Sequence, residues 1–249
     1  MDAIATYALR LGDDSLILGQ RLSEWCGHAP ALEVDLSLAN VALDQVGQAT
    51  HFLNLAGELE GKGRDGDALA FRRDVMDFTN CLLVDQPNGD FAQTIARQLL
   101  FSHYQELLFT ALTASKNATI AAIAAKAVKE TAYHATLASD WVVRLGDGTE
   151  ESKTRMIAGL DWMWRFADEL FVTDDVDAAA IKAGVGIDKA SLRAAWDARI
   201  DATLAEATLA RPAPRRATTG GRVGRHSEHL GHLLSDMQFL QRAYPGATW

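Results

Sequence analysis

Carboxylates and imidazoles at helical spacing are the residues of this chain best suited to chemistry. The arrangement to test them against is a di-metal carboxylate centre inside a four-helix bundle. Such a centre takes one Glu from each of two helices and Glu-x-x-His from each of the other two, all pointing inward. Oxygen ligands with one imidazole per ion leave positions open for dioxygen, and the i, i+3 spacing puts carboxylate and imidazole on one helix face. Here Asp44 is followed at i+3 by Gly47, a carboxylate without its imidazole. Thr131 and His134 stand at the same spacing, an imidazole without its carboxylate, and Glu130 is one residue out of phase. Asp14 is the nearest candidate opposite Asp44, and Arg97 and Gln98 lie opposite Thr131. Asp14, Asp44, Gly47, Thr131 and His134 therefore read as vestigial metal positions. The expectation is a chain with no metal ligand set and no catalytic residue of its own.

Polar residues nevertheless recur along these segments. Asn40, Asp44, Gly47 and His51 form one stripe, Gln98, Ser102 and Gln105 a second, and Lys126, Glu130 and His134 a third. The expected arrangement is a polar bundle interior of Arg21, Asn40, Asp44, His51, Gln98, Lys126, Glu130 and His134. In it Asp44 and Glu130 pair with Arg21 or Lys126, since buried charges need partners. The alternative is that some stripes face solvent or a partner. His226, His229 and His232 spread over about 120° of helix surface, so two of them could share a metal. Capping and hydrogen bonding is the expected role, because nothing nearby completes a ligand shell. Trp141, Trp162, Trp164, Phe166 and Phe171 form an aromatic cluster, core by default, with any exposed share a candidate protein interface. Arg211, Arg215, Arg216, Arg222 and Arg225 make a basic, Pro- and Gly-rich loop that could meet a partner or an acidic ligand.

The elements that must position these groups are helices. Alanine and leucine abound, prolines number five, and no period-two alternation occurs. A first helix over about residues 2–11 ends at Gly12, and Asp13 caps a second over about 14–28. A long helix opens after Pro30 and reaches about Glu60. Asp90 caps a helix to about Ser115, and Asn117 begins another to Leu145. A tryptophan-rich helix over about 149–171 follows, then two smaller ones and a last helix over about 221–244. The segments 14–28, 31–60, 90–115 and 117–145 make two antiparallel hairpins, and two hairpins make a four-helix bundle. No repeat or long linker divides the 249 residues, so one domain is expected.

Composition is that of an ordinary globular protein, 48% apolar and 23% charged, with a net charge of -9 that disfavours nucleic acid. Cys26 and Cys81 sit among apolar neighbours and read as two buried, reduced thiols. With no leader-like start and no long apolar run, no membrane contact and a cytoplasmic location are expected.

Six stretches carry a resemblance. LRLGDDSLILGQRLSEWCGHAP (Leu9–Pro30), LANVALDQVGQA (Leu38–Ala49) and DQPNGDFAQTIARQ (Asp85–Gln98) are three of them. KETAYH (Lys129–His134), RLGDGTEES (Arg144–Ser152) and GRHSEHLGHLLSDMQ (Gly224–Gln238) are the others. Together they resemble the structural C-subunit family of the ring-1,2-phenylacetyl-CoA epoxidases, from about residue 7 to Trp249. The resemblance implies a ferritin-like helical bundle within a multicomponent monooxygenase of aerobic phenylacetate breakdown. It implies a homologous A subunit that carries the di-iron centre and the substrate pocket, and a small B subunit. A reductase with flavin and iron–sulfur groups would bring electrons from NADPH. One oxygen atom would be inserted across the 1,2-bond of the phenyl ring of phenylacetyl-CoA, this chain pairing with the A subunit and supporting it. Two rival readings stand beside it. One is a divergent di-metal oxidase using Asp14, Asp44, Glu130 and His134, and the other an acyl-CoA-binding module gripping phosphates with Arg215, Arg216 and Arg222.

Overall fold

A computed structural model describes residues 2–247, so Trp249, where the resembling stretch ends, lies outside them. Helix, 3-10 turns included, makes up 73% of the described residues and no strand occurs among them, consistent with a ferritin-like helical bundle. Two compact units are formed. One combines the chain up to Pro87 with the segment from Gly220 onward, and the other is Asn88–Thr219.

The first unit is built on a hairpin of α1 (Ala3–Ser23) and α2 (Leu32–Glu60). The break expected at Gly12–Asp13 is absent, and α1 runs straight through it. Packing explains why. A Cβ on Gly12 would lie 2.7 Å from Leu53 Cδ2, so this glycine allows close approach of two helices instead of ending one. Asp13 is buried and spends its carboxylate on a tertiary ion pair, not on a cap. Glu33 and Asp35 occupy the first turn of α2, where the helix dipole favours anions. Gly61, at φ 70°, closes the helix in the left-handed conformation that glycine adopts freely. The short helices α3 (Gly66–Phe71) and α4 (Leu82–Asp85) follow, α3 against α2 and α4 against α1. The unit is completed by α10 (Glu228–Ala243). This helix starts later than the expected 221, because Gly224 is left-handed at φ 75° and Gly221 lies against the backbone of Asn80. A Cβ on Gly221 would sit 2.2 Å from the Asn80 carbonyl oxygen.

The second unit is built on α5 (Phe91–Leu112) and α6 (Ala118–Gly146), whose caps fall where the sequence puts them. Asp90 accepts from the Gln93 N–H at 2.9 Å and Asn117 from the Ile120 N–H at 3.1 Å. Thr149 and Ser152 form a capping box that opens α7 (Glu150–Trp164). The tryptophan-rich helix thus ends at Trp164, and a 3-10 turn carries Ala167–Phe171. Next come α8 (Asp175–Lys182) and α9 (Arg193–Glu206), the latter packed on α5 and α6.

Candidate functional site

The positions expected from the sequence to be vestigial metal ligands differ in burial. Asp14 is buried, and both its oxygens take the Arg222 guanidinium, Nη1 to Oδ1 at 2.9 Å and Nη2 to Oδ2 at 2.7 Å. Its Oδ1 also accepts from the Cys81 N–H at 2.8 Å. A bidentate guanidinium neutralises the charge of a carboxylate and engages both its oxygens. Thr131 is buried and donates to the carbonyls of its own helix, Ala127 at 3.0 Å and Val128 at 3.2 Å. His134 is buried, while Asp44, Gly47 and Glu130 are half-buried. Among the described residues no group of three or more His, Cys, Asp or Glu could hold a metal ion.

The expected polar interior forms only in part. Arg21, Gln98 and His134 are buried, whereas Asn40, His51 and Lys126 are exposed. The stripe through Asn40 and His51 lies about 130° round the helix, at roughly 100° per residue, from the face that α2 buries. That buried face runs through Val34, Leu38, Val41, Phe52 and, as its polar members, Gln45 and Gln48. The apolar residues decide which way a helix turns, and the polar stripe follows from them.

A different cluster dominates the first unit. Three buried carboxylates, Asp13, Asp14 and Asp85, each meet a basic group from another part of the chain. Asp13 pairs through both oxygens with Arg73, and its Oδ2 also accepts from the N–H and hydroxyl of Thr79 at 2.8 and 2.9 Å. The Arg73 guanidinium stacks 4.1 Å over the Phe78 ring. Asp85 takes the Ser227 hydroxyl at 3.0 Å and the Gln86 amide at 2.9 Å on Oδ1, with His226 Nδ1 3.2 Å from Oδ2. Arg21 donates to the backbone carbonyls of Asp85 and His229 at 2.9 and 3.1 Å and to Glu24 at 2.8 Å. These bonds lash the segment after Gly220 to α1 and α4. Within the histidine run it is the His226 ring that makes such bonds, and its side chain is buried. Burial opposes its charge, but the Asp85 carboxylate, the Phe78 carbonyl and the Asp13 charge outweigh that, and its pKa is raised.

The basic loop is largely neutralised within each unit. Arg211 pairs with Asp197 and Asp201 at 2.7 Å and stacks on Trp164 at 5.2 Å, and Arg215 pairs with Asp161 at 2.6 Å. Arg222 is no loop residue at all, since Asp14 holds it. Only Arg216 and Arg225 stand exposed with no ion pair among the described residues. Replacing Arg222 by alanine is expected to cost about 2 kcal/mol, the scale of hydrogen bonds to a charged partner, whereas Arg216→Ala should stay within about 0.5 kcal/mol. Urea midpoints of the two variants measure the difference.

Several functional positions escape the sequence. Asp13 and Asp85 have a weak signal, acids next to apolar runs, and Arg73, in the polar stretch after α3, has none. Cys26 is exposed where two buried thiols were expected, because it falls in the turn after α1, and only Cys81 is buried. His103 is buried on α5, with Nε2 2.9 Å from Ser139 Oγ. Burial and the Arg199 charge push its pKa down to about 4, and no carboxylate orients its Nδ1, so the pair lacks the third member of a nucleophilic triad. Of the aromatic cluster, Phe166 and Phe171 are buried, Trp141 and Trp164 half-buried and Trp162 exposed. The buried centre is Trp196, a residue outside the expected cluster.

The chain is similar to known proteins along its whole length. Residues 1–249 match the family described as Phenylacetic acid catabolic protein. The chain is 50% identical to the C subunit of the 1,2-phenylacetyl-CoA epoxidase of Escherichia coli (strain K12), over 249 residues and 100% of both chains. The stretches quoted above for the resemblance contain Asp13, Asp14, Asp85 and His226 of the ion-pair cluster. This chain belongs to the phenylacetic acid catabolic protein family.

Proposed function

We propose that this chain is the non-catalytic structural subunit of a ring-1,2-phenylacetyl-CoA epoxidase, pairing with a di-iron catalytic A subunit and supporting it. The observation that carries the reading is the fate of the acidic motif residues. Asp14, a ligand in the oxidase alternative, is consumed by Arg222, and Asp13 and Asp85 serve internal ion pairs in the same way. The full-length likeness to the C subunit of an epoxidase supports the same reading. On this proposal the iron, the flavin, the iron–sulfur group and NADPH belong to other subunits, the A subunit and a reductase, and a small B subunit joins the assembly. Oxygen insertion across the 1,2-bond of the phenyl ring takes place in the A subunit. The setting is the cytoplasm, and no helix among the described residues is long and apolar enough to cross a membrane. No observation favours the freestanding di-metal oxidase. The CoA-binding module fares little better, because Arg215 and Arg222 are occupied by Asp161 and Asp14.

A subunit must leave a face for its partner. On α2, Leu32, Leu36 and Leu43 are 71%, 56% and 69% exposed and share one stripe, and α2 carries no Lys or Arg. On α7, Ile157 and Trp162 are exposed as well. We assign the α2 stripe to the A subunit. Titration calorimetry with a cognate A subunit should show a complex, and Leu36→Asp with Leu43→Asp should weaken it at least about tenfold, as loss of hot-spot apolar contacts does, with the melting temperature of the free chain unchanged. No complex with the unaltered chain would end the scaffold reading. We further read residues 1–249 as a single ferritin-like domain, so that both units unfold in one calorimetric transition.

A further inference from the structure

We propose that His226, as an imidazolium, is a pH-sensitive latch that holds the segment from Gly220 to Ala247 on the first unit. The geometry carries this. Both ring nitrogens face acceptors, Nδ1 the Asp85 carboxylate at 3.2 Å and Nε2 the Phe78 carbonyl at 2.8 Å. Only the doubly protonated ring donates to both. Either neutral tautomer turns a lone pair against an oxygen inside a site where His226 and Asp85 side chains are 1% and 0% exposed.

The charged groups around the ring are otherwise engaged. From α4 comes Asp85 itself, which also accepts from Ser227 and Gln86. From α1 come Asp13, bound to Arg73, Asp14, bound to Arg222, and Arg21, whose donors go to Glu24 and to the carbonyls of Asp85 and His229. No second cation replaces the imidazolium on Asp85 among these bonds. Farther along, the segment is tied by Gln238 to the carbonyls of Ala70 and Arg73 at 2.9 and 3.0 Å, and by Arg242 to Asp74 at 2.9 Å. The latch therefore governs the start of α10, where Ser227 precedes its first residue.

The sign follows from linkage. The raised pKa of His226 means that its stabilisation is complete below the ordinary value of 6.5 and is lost as pH rises through the folded value. The test is hydrogen exchange of the full chain from pH 6 to pH 9, expressed as protection factors, with α9 as internal reference. Protection of α10 should fall with rising pH, by at most about tenfold per pH unit for one proton, while α9 stays constant. His226→Gln should remove the pH dependence. An α10 profile that is flat, or parallel to that of α9, or unchanged in His226→Gln, overturns the latch. Should the variant not fold, ring-nitrogen NMR of the unaltered chain decides. The doubly protonated form of His226 at pH 6.5 supports the latch, and a neutral ring there overturns it.

Discussion

Asp13→Ala should cost about 3–5 kcal/mol of folding stability, the range for breaking a buried ion pair from one side. The carboxylate and Arg73 are both buried, and Arg73 cannot shed its proton, so the variant strands a guanidinium in a site shielded from water. Thr79 loses the acceptor of both its N–H and its hydroxyl at the same time. A double-mutant cycle with Arg73→Met separates the pair from the rest. The double variant should recover part of the loss, because an uncharged pair leaves no bare ion. A urea midpoint for Asp13→Ala equal to that of the unaltered chain would mean the pair is solvated and the cluster is not what anchors the first unit.

Trp196→Ala should have an effect of the same size in the second unit, about 3–5 kcal/mol as for other large-to-small changes at a fully buried aromatic. The indole is packed against Trp164 and Phe171, at 5.9 and 5.2 Å between ring centres, and its N–H donates to the Leu100 carbonyl at 2.9 Å. Truncation opens a cavity and removes the indole donor from that carbonyl. For a chain of this size the melting temperature should fall on the order of 10 °C, and Trp196→Phe should fall between the two. If both variants melt within a degree or two of the unaltered chain, α9 is not packed on α5 as described. Asp13→Ala and Trp196→Ala lie in different units, so together they also probe organisation. A single domain shifts one transition in both cases, whereas independent units shift one of two.

What the sequence makes legible is the chemistry of helix ends. Asp90 and Asn117 cap where their side chains can reach the third N–H of a helix, a local property that needs no tertiary knowledge. Gly12–Asp13 looks like the same kind of signal and is not. The glycine serves contact with Leu53 and the aspartate serves Arg73, two partners distant in sequence. Arg222 fails for a related reason. It lies in a stretch whose composition suggests solvent, yet Gly221 and Gly224 bring the backbone against Asn80 and Met76 and deliver the guanidinium to Asp14. The ion-pair cluster is not legible, because it depends on which helices meet.

On the proposed function this chain supports an oxygen-activating partner and holds no di-metal centre. This is tested by loading the purified chain anaerobically with ferrous ion and measuring its iron by elemental analysis after desalting. Because Asp14 is bound by Arg222 and Thr131 by its own helix, iron near zero per chain is expected. About two irons per chain, the occupancy of a di-iron carboxylate centre, would contradict it and make this chain an oxygen-activating enzyme in its own right.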